Sequence, residues 1–236
     1  MKAVSADNPA RLSPSDPAHL RLKPLGFVDT ETLYEICAKP QNNIHIRGDH
    51  MDKENPTLPI LTNRLMIRKL TRKDQEHIYD LCLQAFTNDW PAGWKMNYQQ
   101  ASDFLDWQIS KYDTFNVISD SVYFAVVSRD NSTFIGHCHV GNIEELGETE
   151  VGYGIAKKYR GLGYATEVAQ ALTQWALNTF NLKYVVATIV DNNFSSLKVI
   201  EKAGFVKCGR KRIPSLDEQN EFNYFRYYNP SQKRDV

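Results

Sequence analysis

The sequence lacks a surplus of charge of either sign. Its 236 residues include 28 Lys and Arg and 28 Asp and Glu, so the formal net charge at pH 7 is zero. A protein that binds nucleic acid usually carries a basic surplus or a basic stripe. The balance therefore argues against nucleic acid as a partner.

Long apolar runs are also missing. No stretch approaches the roughly 18–20 apolar residues that cross a bilayer. The N-terminal residues MKAVSADNPARLSPSDPAHL contain no apolar segment typical of a secretory signal. We therefore expect a cytoplasmic protein without a membrane partner. The hydrophobic content of 42% and the charged content of 24% are ordinary for a globular protein.

Familiar metal-binding and nucleotide-binding motifs are absent as well. The four cysteines are far apart and form no CxxC pair, and the histidines show no metal-ligand spacing. The pattern GxxxxGK followed by Ser or Thr does not occur, and the segment from Gly161 to Thr166 lacks the last glycine of GxGxxG. The sequence therefore predicts no metal site and neither of these two phosphate-binding loops.

Regular patterns begin late in the chain. Residues 1–60 are rich in polar residues and contain the breakers Pro40, Pro56 and Pro59. We expect them to form an N-terminal extension that is partly disordered or holds one short helix near Thr30. Residues 61–230 carry the periodicities of one domain, and residues 231–236 form a tail.

The periodicities of residues 61–230 predict a mixed α/β fold around one sheet. Thr71 with Asp74 three residues later is typical of a helix start, and Gly204 is typical of a helix end. The expected order is one strand, two helices, three strands, a helix, a strand, a helix and two strands. After a strand at 65–67 and a helix from Thr71, the predicted elements are helix 97–112, strands 122–128, 133–142 and 149–156, helix 164–178, strand 184–190, helix 195–203, and strands 205–213 and 221–228.

The segment from Glu150 to Leu177 carries the strongest functional signal. A strand ends near Ala156, a basic glycine-containing loop follows, and an amphipathic helix starts near Tyr164. Unpaired N–H groups and the helix dipole make such a helix N-terminus an anion site. Taken alone, the loop is equally compatible with an ordinary strand-to-helix turn. Gly161 and Gly163 allow the backbone to approach a bound phosphate closely. Positive charge around the loop comes from Lys157, Lys158 and Arg160.

Three stretches, in the right order, resemble the GNAT superfamily of N-acetyltransferases. The loop RGLGYA, residues 160–165, matches the superfamily pattern R/Q-x-x-G-x-G/A. The stretch DNNFSSLKVIEKAGF, residues 191–205, resembles its N-x-x-S/A and E-K-x-G-F segment, and NRLMIRKLTRKD resembles its first strand and helix entry. The resemblance covers residues 62–228. Within the superfamily, the sequence looks most like the RimJ/RimL-type branch, the ribosomal-protein-alanine acetyltransferases.

This resemblance implies a fold and a coenzyme. The superfamily fold is a mostly antiparallel twisted sheet of about seven strands, one pair of them splayed, flanked by about four helices. The coenzyme is acetyl-CoA, whose pantetheine arm would pair with exposed backbone in the splay and with Asn193. The resemblance assigns the arm to Tyr153, Gly154 and Ile155, and the pyrophosphate to the amides of Arg160, Gly161, Leu162, Gly163, Tyr164 and Ala165.

The resemblance also implies direct attack of an amine on the thioester, in a ternary complex and without a metal. The amine must be neutral to attack, so a base has to take a proton. Glu150, at the start of the splayed strand, is the candidate base, with Glu148, Glu145 and His139 as alternatives. Glu150 can equally be a solvated strand end.

The leaving thiolate gains from a proton donor. Many relatives use a tyrosine seven residues after the motif asparagine, but this chain has Ile200 there. Ser196 is therefore the candidate donor, as in RimL-like relatives. The alternative is that Ser196 only caps its helix.

The acceptor is the least defined part of the prediction. The superfamily lines the acceptor site with the loop between the first two helices, where Trp90 and Trp94 are candidate substrate contacts, with packing onto the sheet as the alternative. The branch resemblance makes a protein N-terminal amine the leading acceptor. A polyamine, an amino acid or an aminoglycoside is the alternative, and a non-catalytic CoA-binding module is another. We expect a monomer or homodimer. The basic run Lys207–Arg212 is expected to be a solvated face, and attraction to the CoA phosphate or an acidic substrate is the alternative.

Overall fold

The computed structural model describes residues 58–86, 94–214, 216 and 221–231. The proposed N-terminal extension and the tail lie almost entirely outside these residues. The described part forms one eight-stranded sheet flanked by four α-helices. The elements are β1 (Ile60–Leu61), β2 (Leu65–Lys69), α1 (Gln75–Phe86), α2 (Tyr98–Lys111), β3 (Ser121–Ser128), β4 (Phe134–Ile143), β5 (Glu148–Ile155), α3 (Tyr164–Thr179), β6 (Tyr184–Ile189), α4 (Phe194–Ala203), β7 (Val206–Arg212) and β8 (Glu221–Tyr228).

The strand order confirms the predicted architecture. The order across the sheet is β1-β2-β3-β4-β5-β6-β8-β7. Every neighbouring pair is antiparallel except β5 and β6, which are parallel. The strand that the sequence analysis did not predict is β1, because two residues are too few to show an alternating pattern.

Local sequence signals fix where the helices start and stop. Thr71 and Asp74 form the predicted capping box before α1. Asn97 and Gln100 form a second one at the start of α2, where the Asn97 side chain accepts the Gln100 N–H at 2.9 Å. Gly204 ends α4 with φ of 96°, a left-handed conformation that suits glycine.

The helices cover both faces of the sheet. Phe104 of α2 packs edge-on against Tyr123 with ring centroids 5.5 Å apart. Trp175 of α3 packs in the same way against Phe124, also at 5.5 Å. Since consecutive residues of a strand point to opposite faces, α2 and α3 lie on opposite sides of β3. Helix α1 packs beside α2, and α4 packs beside α3, so the sheet separates an α1–α2 face from an α3–α4 face.

Within the described ranges, no helix is both long enough and apolar enough to span a membrane. The same residues contain no group of three or more His, Cys, Asp or Glu side chains placed to hold a metal ion.

Candidate active site

The sheet opens between β5 and β6. The two strands share one ladder pair, Glu150 opposite Val186. Beyond that pair β5 continues to Ile155 against β4, while β6 continues to Ile189 against β8. The side of β5 that faces β6 therefore presents backbone groups without a ladder partner, as the resemblance predicted for the splayed strand.

Glu150 lies at the point where the strands part, and it is 3% exposed. Its Oε1 accepts the Thr188 backbone N–H at 3.0 Å and the Thr188 hydroxyl at 2.5 Å. A buried amide needs a partner, and the Glu150 carboxylate supplies one for β6 just beyond the last ladder pair. The alternative of a solvated strand end is therefore wrong, because the side chain is buried and bonded.

A cavity of about 690 Å³ adjoins the open side of β5. It lies on the α3–α4 face, since residues of both helices form its walls. Every residue assigned to the coenzyme lines it except Leu162, and Ser196 lines it as well. The residues that the sequence analysis did not name include Tyr159, Thr166, Val190, Asn192, Lys198 and Lys202.

The loop before α3 has the geometry of an anion site. Gly161 and Gly163 have φ of 79° and 81°, which other residues adopt only with strain. Gly163 is the N-cap of α3, and no side chain caps the first turn of this 16-residue helix. The N–H groups at its start are therefore available to a negatively charged ligand at the cavity.

Two of the predicted loop residues each have a polar group that is hydrogen-bonded within the protein. Arg160 donates from Nε to the Ile155 carbonyl oxygen at 3.0 Å, which folds its side chain back on the end of β5. Leu162 has an exposed side chain, and its carbonyl oxygen accepts a bond from the Arg64 Nη1 at 2.9 Å.

The start of α4 brings Asn193 and Ser196 to the same cavity. Asn193 occupies the N-cap position without a side-chain capping bond. The Ser196 backbone N–H donates to the Asn193 carbonyl oxygen at 3.2 Å. Because the cap position belongs to Asn193, a capping role does not account for the Ser196 hydroxyl.

The Tyr153 phenol is a feature that the sequence analysis missed. Its oxygen is buried and receives no hydrogen bond of normal geometry from the described residues. Burial raises the pKa of Tyr153 well above its usual range, and the nearby Ser196 hydroxyl opposes that shift. The phenol therefore stays protonated at neutral pH, and it lies in the cavity wall with its one donor unused.

His139 of β4 lies next to Glu150, on the face of the sheet opposite the cavity. Its Nε2 lies 3.7 Å from Glu150 Oε2, and its ring stacks on Tyr123 with centroids 4.7 Å apart. Gly152 makes room for this ring, because a Cβ at position 152 would lie 2.1 Å from the imidazole Cε1. Two of the candidate bases are thus neighbours on the α1–α2 face.

The other two candidate bases are placed differently. Both oxygens of Glu148 already accept hydrogen bonds, from Tyr184 at 2.8 Å, Tyr224 at 2.5 Å and Arg226 at 2.8 Å. Glu145 lies exposed in the turn before β5. This arrangement favours Glu150 and His139 over both of them.

The predicted acceptor residues and the basic run differ from expectation in part. Trp90 lies outside the described residues. Trp94 is 2% exposed and stacks on His137 with centroids 4.4 Å apart, which matches the packing alternative, so its contact with substrate stays a prediction.

In the basic run, Lys207 is buried and donates to Asn223 at 2.9 Å, and Arg210 pairs with Asp191 at 2.6 Å. Lys207 therefore departs from the expected solvated face, whereas Arg210, Lys211 and Arg212 are exposed as expected.

Comparison with known proteins identifies relatives. The family model described as acetyltransferase (GNAT) domain matches residues 64–206. The Bacillus subtilis protein described as the uncharacterized N-acetyltransferase YnaD is 29% identical over 170 residues, covering 70% of this chain and 94% of its own length. N-alpha-acetyltransferase 30 of Schizosaccharomyces pombe is 33% identical over 110 residues, covering 45% of this chain and 73% of its own. The structure of RimL, a ribosomal L7/L12 alpha-N-protein acetyltransferase in complex with coenzyme A, shares the fold with a TM-score of 0.59 at 14% identity, covering 74% of this chain and 98% of that one.

Proposed function

Because the chain belongs to the GNAT acetyltransferase family, we propose that it moves the acetyl group of acetyl-CoA to a primary amine, with a protein N-terminal amine as the leading acceptor. The observation that carries the proposal is the opening beside β5, where the cavity is walled by the glycine loop, the free start of α3 and the start of α4. A thioester held there would lie at the gap in the sheet, within reach of both faces.

The cavity fits the coenzyme in its chemistry. Unpaired backbone groups along β5 suit the amides of a pantetheine arm. The uncapped N-terminus of α3 suits a diphosphate. The orphaned Tyr153 hydroxyl and Ser196 suit a sulfur that gains negative charge. When bound, acetyl-CoA supplies the acetyl group as a thioester that an uncharged amine attacks.

The sheet separates the two halves of the chemistry. Glu150 and Tyr153 differ by an odd number of positions on one strand, so their side chains point to opposite faces. We assign the coenzyme to the α3–α4 face, with Tyr153 and Ser196, and the amine to the α1–α2 face, with Glu150 and His139. Glu150 Oε1 is held by Thr188, so Oε2 is the oxygen available to take the proton from the amine, directly or through water.

The choice of acceptor rests on relatives. RimL is described as an alpha-N-protein acetyltransferase, and the Schizosaccharomyces pombe relative as an N-alpha-acetyltransferase. Both names point to protein N-termini, and they support the same acceptor for this chain. Small amines remain the competing class, since the shared fold does not fix the substrate.

A thiol-release assay with matched acceptors tests the proposal. The full chain and acetyl-CoA are mixed with peptides that have a free N-terminus, with the same peptides blocked at the N-terminus but carrying lysine, and with a polyamine, an amino acid and an aminoglycoside. We expect CoA release and a mass increase of one acetyl group with the free N-termini. Release with small amines alone would transfer the assignment to that class. Tight CoA binding without release from any acceptor would contradict catalysis.

A further inference from the structure

An ion-paired turn lies on the outer side of the coenzyme loop. The turn between β1 and β2 contains Thr62 and Arg64, which lie about a hundred residues before the loop in sequence. Neither residue was a predicted site residue, and neither lines the cavity. Both contact the first turns of α3.

Glu167 of α3 is the anchor of this contact. Its Oε1 accepts the Thr62 hydroxyl at 2.6 Å and the Arg64 backbone N–H at 2.9 Å. Its Oε2 accepts the Arg64 Nε at 2.8 Å and lies 2.7 Å from Nη2. Burial alone would raise the pKa of Glu167, but these bonds from Thr62 and Arg64 hold it below its usual value. The carboxylate is therefore charged and fixed at neutral pH.

The same guanidinium also holds the loop. Arg64 Nη1 donates to the Leu162 carbonyl oxygen at 2.9 Å, and Cζ lies 4.5 Å from the centroid of the Tyr164 ring. A Cβ at position 163 would be 3.4 Å from Arg64 Nη2. The Arg64 side chain thus connects Glu167 of α3 to Leu162 and Tyr164, the two residues that flank Gly163.

The bond to Leu162 sets the direction of the next amide. A trans peptide is planar, with its C=O and N–H pointing in opposite directions. With the Leu162 carbonyl fixed toward Arg64, outside the cavity, the Gly163 N–H points to the cavity side. Arg64 also neutralises Glu167, whose charge near the helix N-terminus would otherwise oppose a bound anion.

We propose that Arg64, anchored by Glu167 and Thr62, is a positioning residue that sets the loop amides for the diphosphate of the coenzyme before the coenzyme binds. The inference rests on the proposed function for the identity of the ligand. It assigns Arg64 no contact with the reacting atoms.

The test compares CoA with pantetheine, which lacks both the diphosphate and the 3′-phosphoadenosine. Dephospho-CoA, titrated in parallel, keeps the diphosphate and lacks only the 3′-phosphate, so each variant should weaken it as much as CoA. CoA and pantetheine are titrated into wild type, Arg64→Ala, Arg64→Lys and Glu167→Gln. Arg72→Ala is the matched control, because Arg72 is an exposed arginine paired with Asp106 at 2.6 Å away from the loop. We expect Arg64→Ala to weaken CoA by about ten-fold or more, with pantetheine affinity unchanged and Arg72→Ala like wild type. Arg64→Lys keeps the charge without the forked donor, and we expect it to rescue less than half of the loss in log affinity.

Amide hydrogen exchange provides a second readout without ligand. We expect faster exchange at the residue 167 amide, which donates to the Gly163 carbonyl oxygen at 3.2 Å, in Arg64→Ala and Glu167→Gln, with unchanged exchange in the core strands. Wild-type CoA affinity in Arg64→Ala, or equal losses for CoA and pantetheine, would overturn the inference. Failure of the proposed function looks different, since wild type itself would then bind no CoA, or would bind it and release no thiol with any acceptor.

Discussion

Glu150 serves two purposes at one position. Its Oε1 satisfies the Thr188 amide where the sheet opens, and its Oε2 is directed to His139 at 3.7 Å. The first purpose is structural and the second is chemical. The two purposes are separable because glutamine keeps an oxygen acceptor of the same reach but is not a base.

Replacing Glu150 by glutamine should therefore remove catalysis and leave the fold. We expect kcat to fall by about 10²–10⁴-fold, the usual contribution of a general base, with CoA affinity unchanged. Glu150→Ala should in addition lower the free energy of unfolding by about 1–3 kcal/mol, because it leaves buried Thr188 donors unpaired. Steady-state kinetics and urea unfolding distinguish the two variants, and wild-type kcat in Glu150→Gln would assign the proton transfer elsewhere.

At Tyr153, too, a substitution can separate catalysis from stability, but here we expect the free energy of unfolding to stay the same or to increase. Its hydroxyl is buried and makes no hydrogen bond of normal geometry with the described residues, so Tyr153→Phe should be as stable as wild type or more stable. If the hydroxyl stabilises the leaving sulfur, kcat falls by about ten-fold or more, a lost hydrogen bond to developing charge. Ser196→Ala is the parallel variant. Unchanged kcat in both would remove the proposed donors, whereas a fall in only one would assign the role to that residue.

At the scale of elements, the coenzyme loop combines a strand end, two left-handed glycines and a free helix start. Gly163 and Gly147 are a matched pair, with φ of 81° and 60°. A Cβ at position 147 meets nothing within 4 Å, and Gly147 lies in the turn before β5, far along the chain from the loop. Alanine at either position adds the same kind of backbone strain, about 1–2 kcal/mol.

Comparing Gly163→Ala with Gly147→Ala separates an effect on CoA binding from the effect of backbone strain. Saturating CoA at 100 times Kd should stabilise wild type by about 2.7 kcal/mol. We expect Gly147→Ala to keep that increment and Gly163→Ala to lose most of it, because the strain there falls on the loop that carries the amides and the Cβ lies 3.4 Å from Arg64 Nη2. Thermal unfolding with and without CoA measures both. Equal increments in the two variants would contradict a coenzyme site at this loop.

Most element boundaries could be predicted from the sequence because short-range signals set them. The glycine after Ala203 marks the end of α4, and the capping pair Thr71 and Asp74 marks a short 3₁₀ turn, Arg72–Asp74, that leads directly into α1. The Tyr184–Ile189 strand was evident as an apolar run. Strand β1 was not predicted, since two residues carry no period.

The family resemblance, rather than short-range signals, assigned the cavity wall, and neither could predict its supports. The glycine loop is one contiguous motif, whereas Arg64 and Glu167 meet only because β1, β2 and α3 pack together. Thr188 reaches Glu150 across the single parallel pair. Contacts of this kind depend on register between distant segments, which a single sequence does not reveal.

At the scale of the whole molecule, the α1–α2 face contains a buried histidine whose charge matters for stability. Burial, and then the neighbouring His139, lower the pKa of His137 well below 6.5. The unfolded chain takes up a proton at this residue near pH 6.5, while the folded chain does not. The unfolded state then binds more protons, so stability falls as the pH drops below about 6.5.

Unfolding at two pH values tests this linkage. Between pH 7.5 and pH 5.5 we expect His137 to account for a loss of about 1.4 kcal/mol. His137→Phe keeps a ring against Trp94 and should lose about that much less over the same interval. Asp74 and Glu167 have lowered pKa values, so their contributions are lost only at more acidic pH. Identical pH slopes in wild type and variant would show that His137 is protonated in the folded protein.

The single ladder pair between β5 and β6 also has a mechanical meaning. It divides the sheet into a group of five strands and a group of three strands, which that one pair connects. The side chains of Glu148 and Glu150 also connect the two groups, through hydrogen bonds to residues of β6 and β8. Each group keeps its own internal hydrogen bonds whatever the angle between the two groups. A change in the width of the gap beside β5 would therefore need only a change of angle at Glu150, and no strand would have to change its partner.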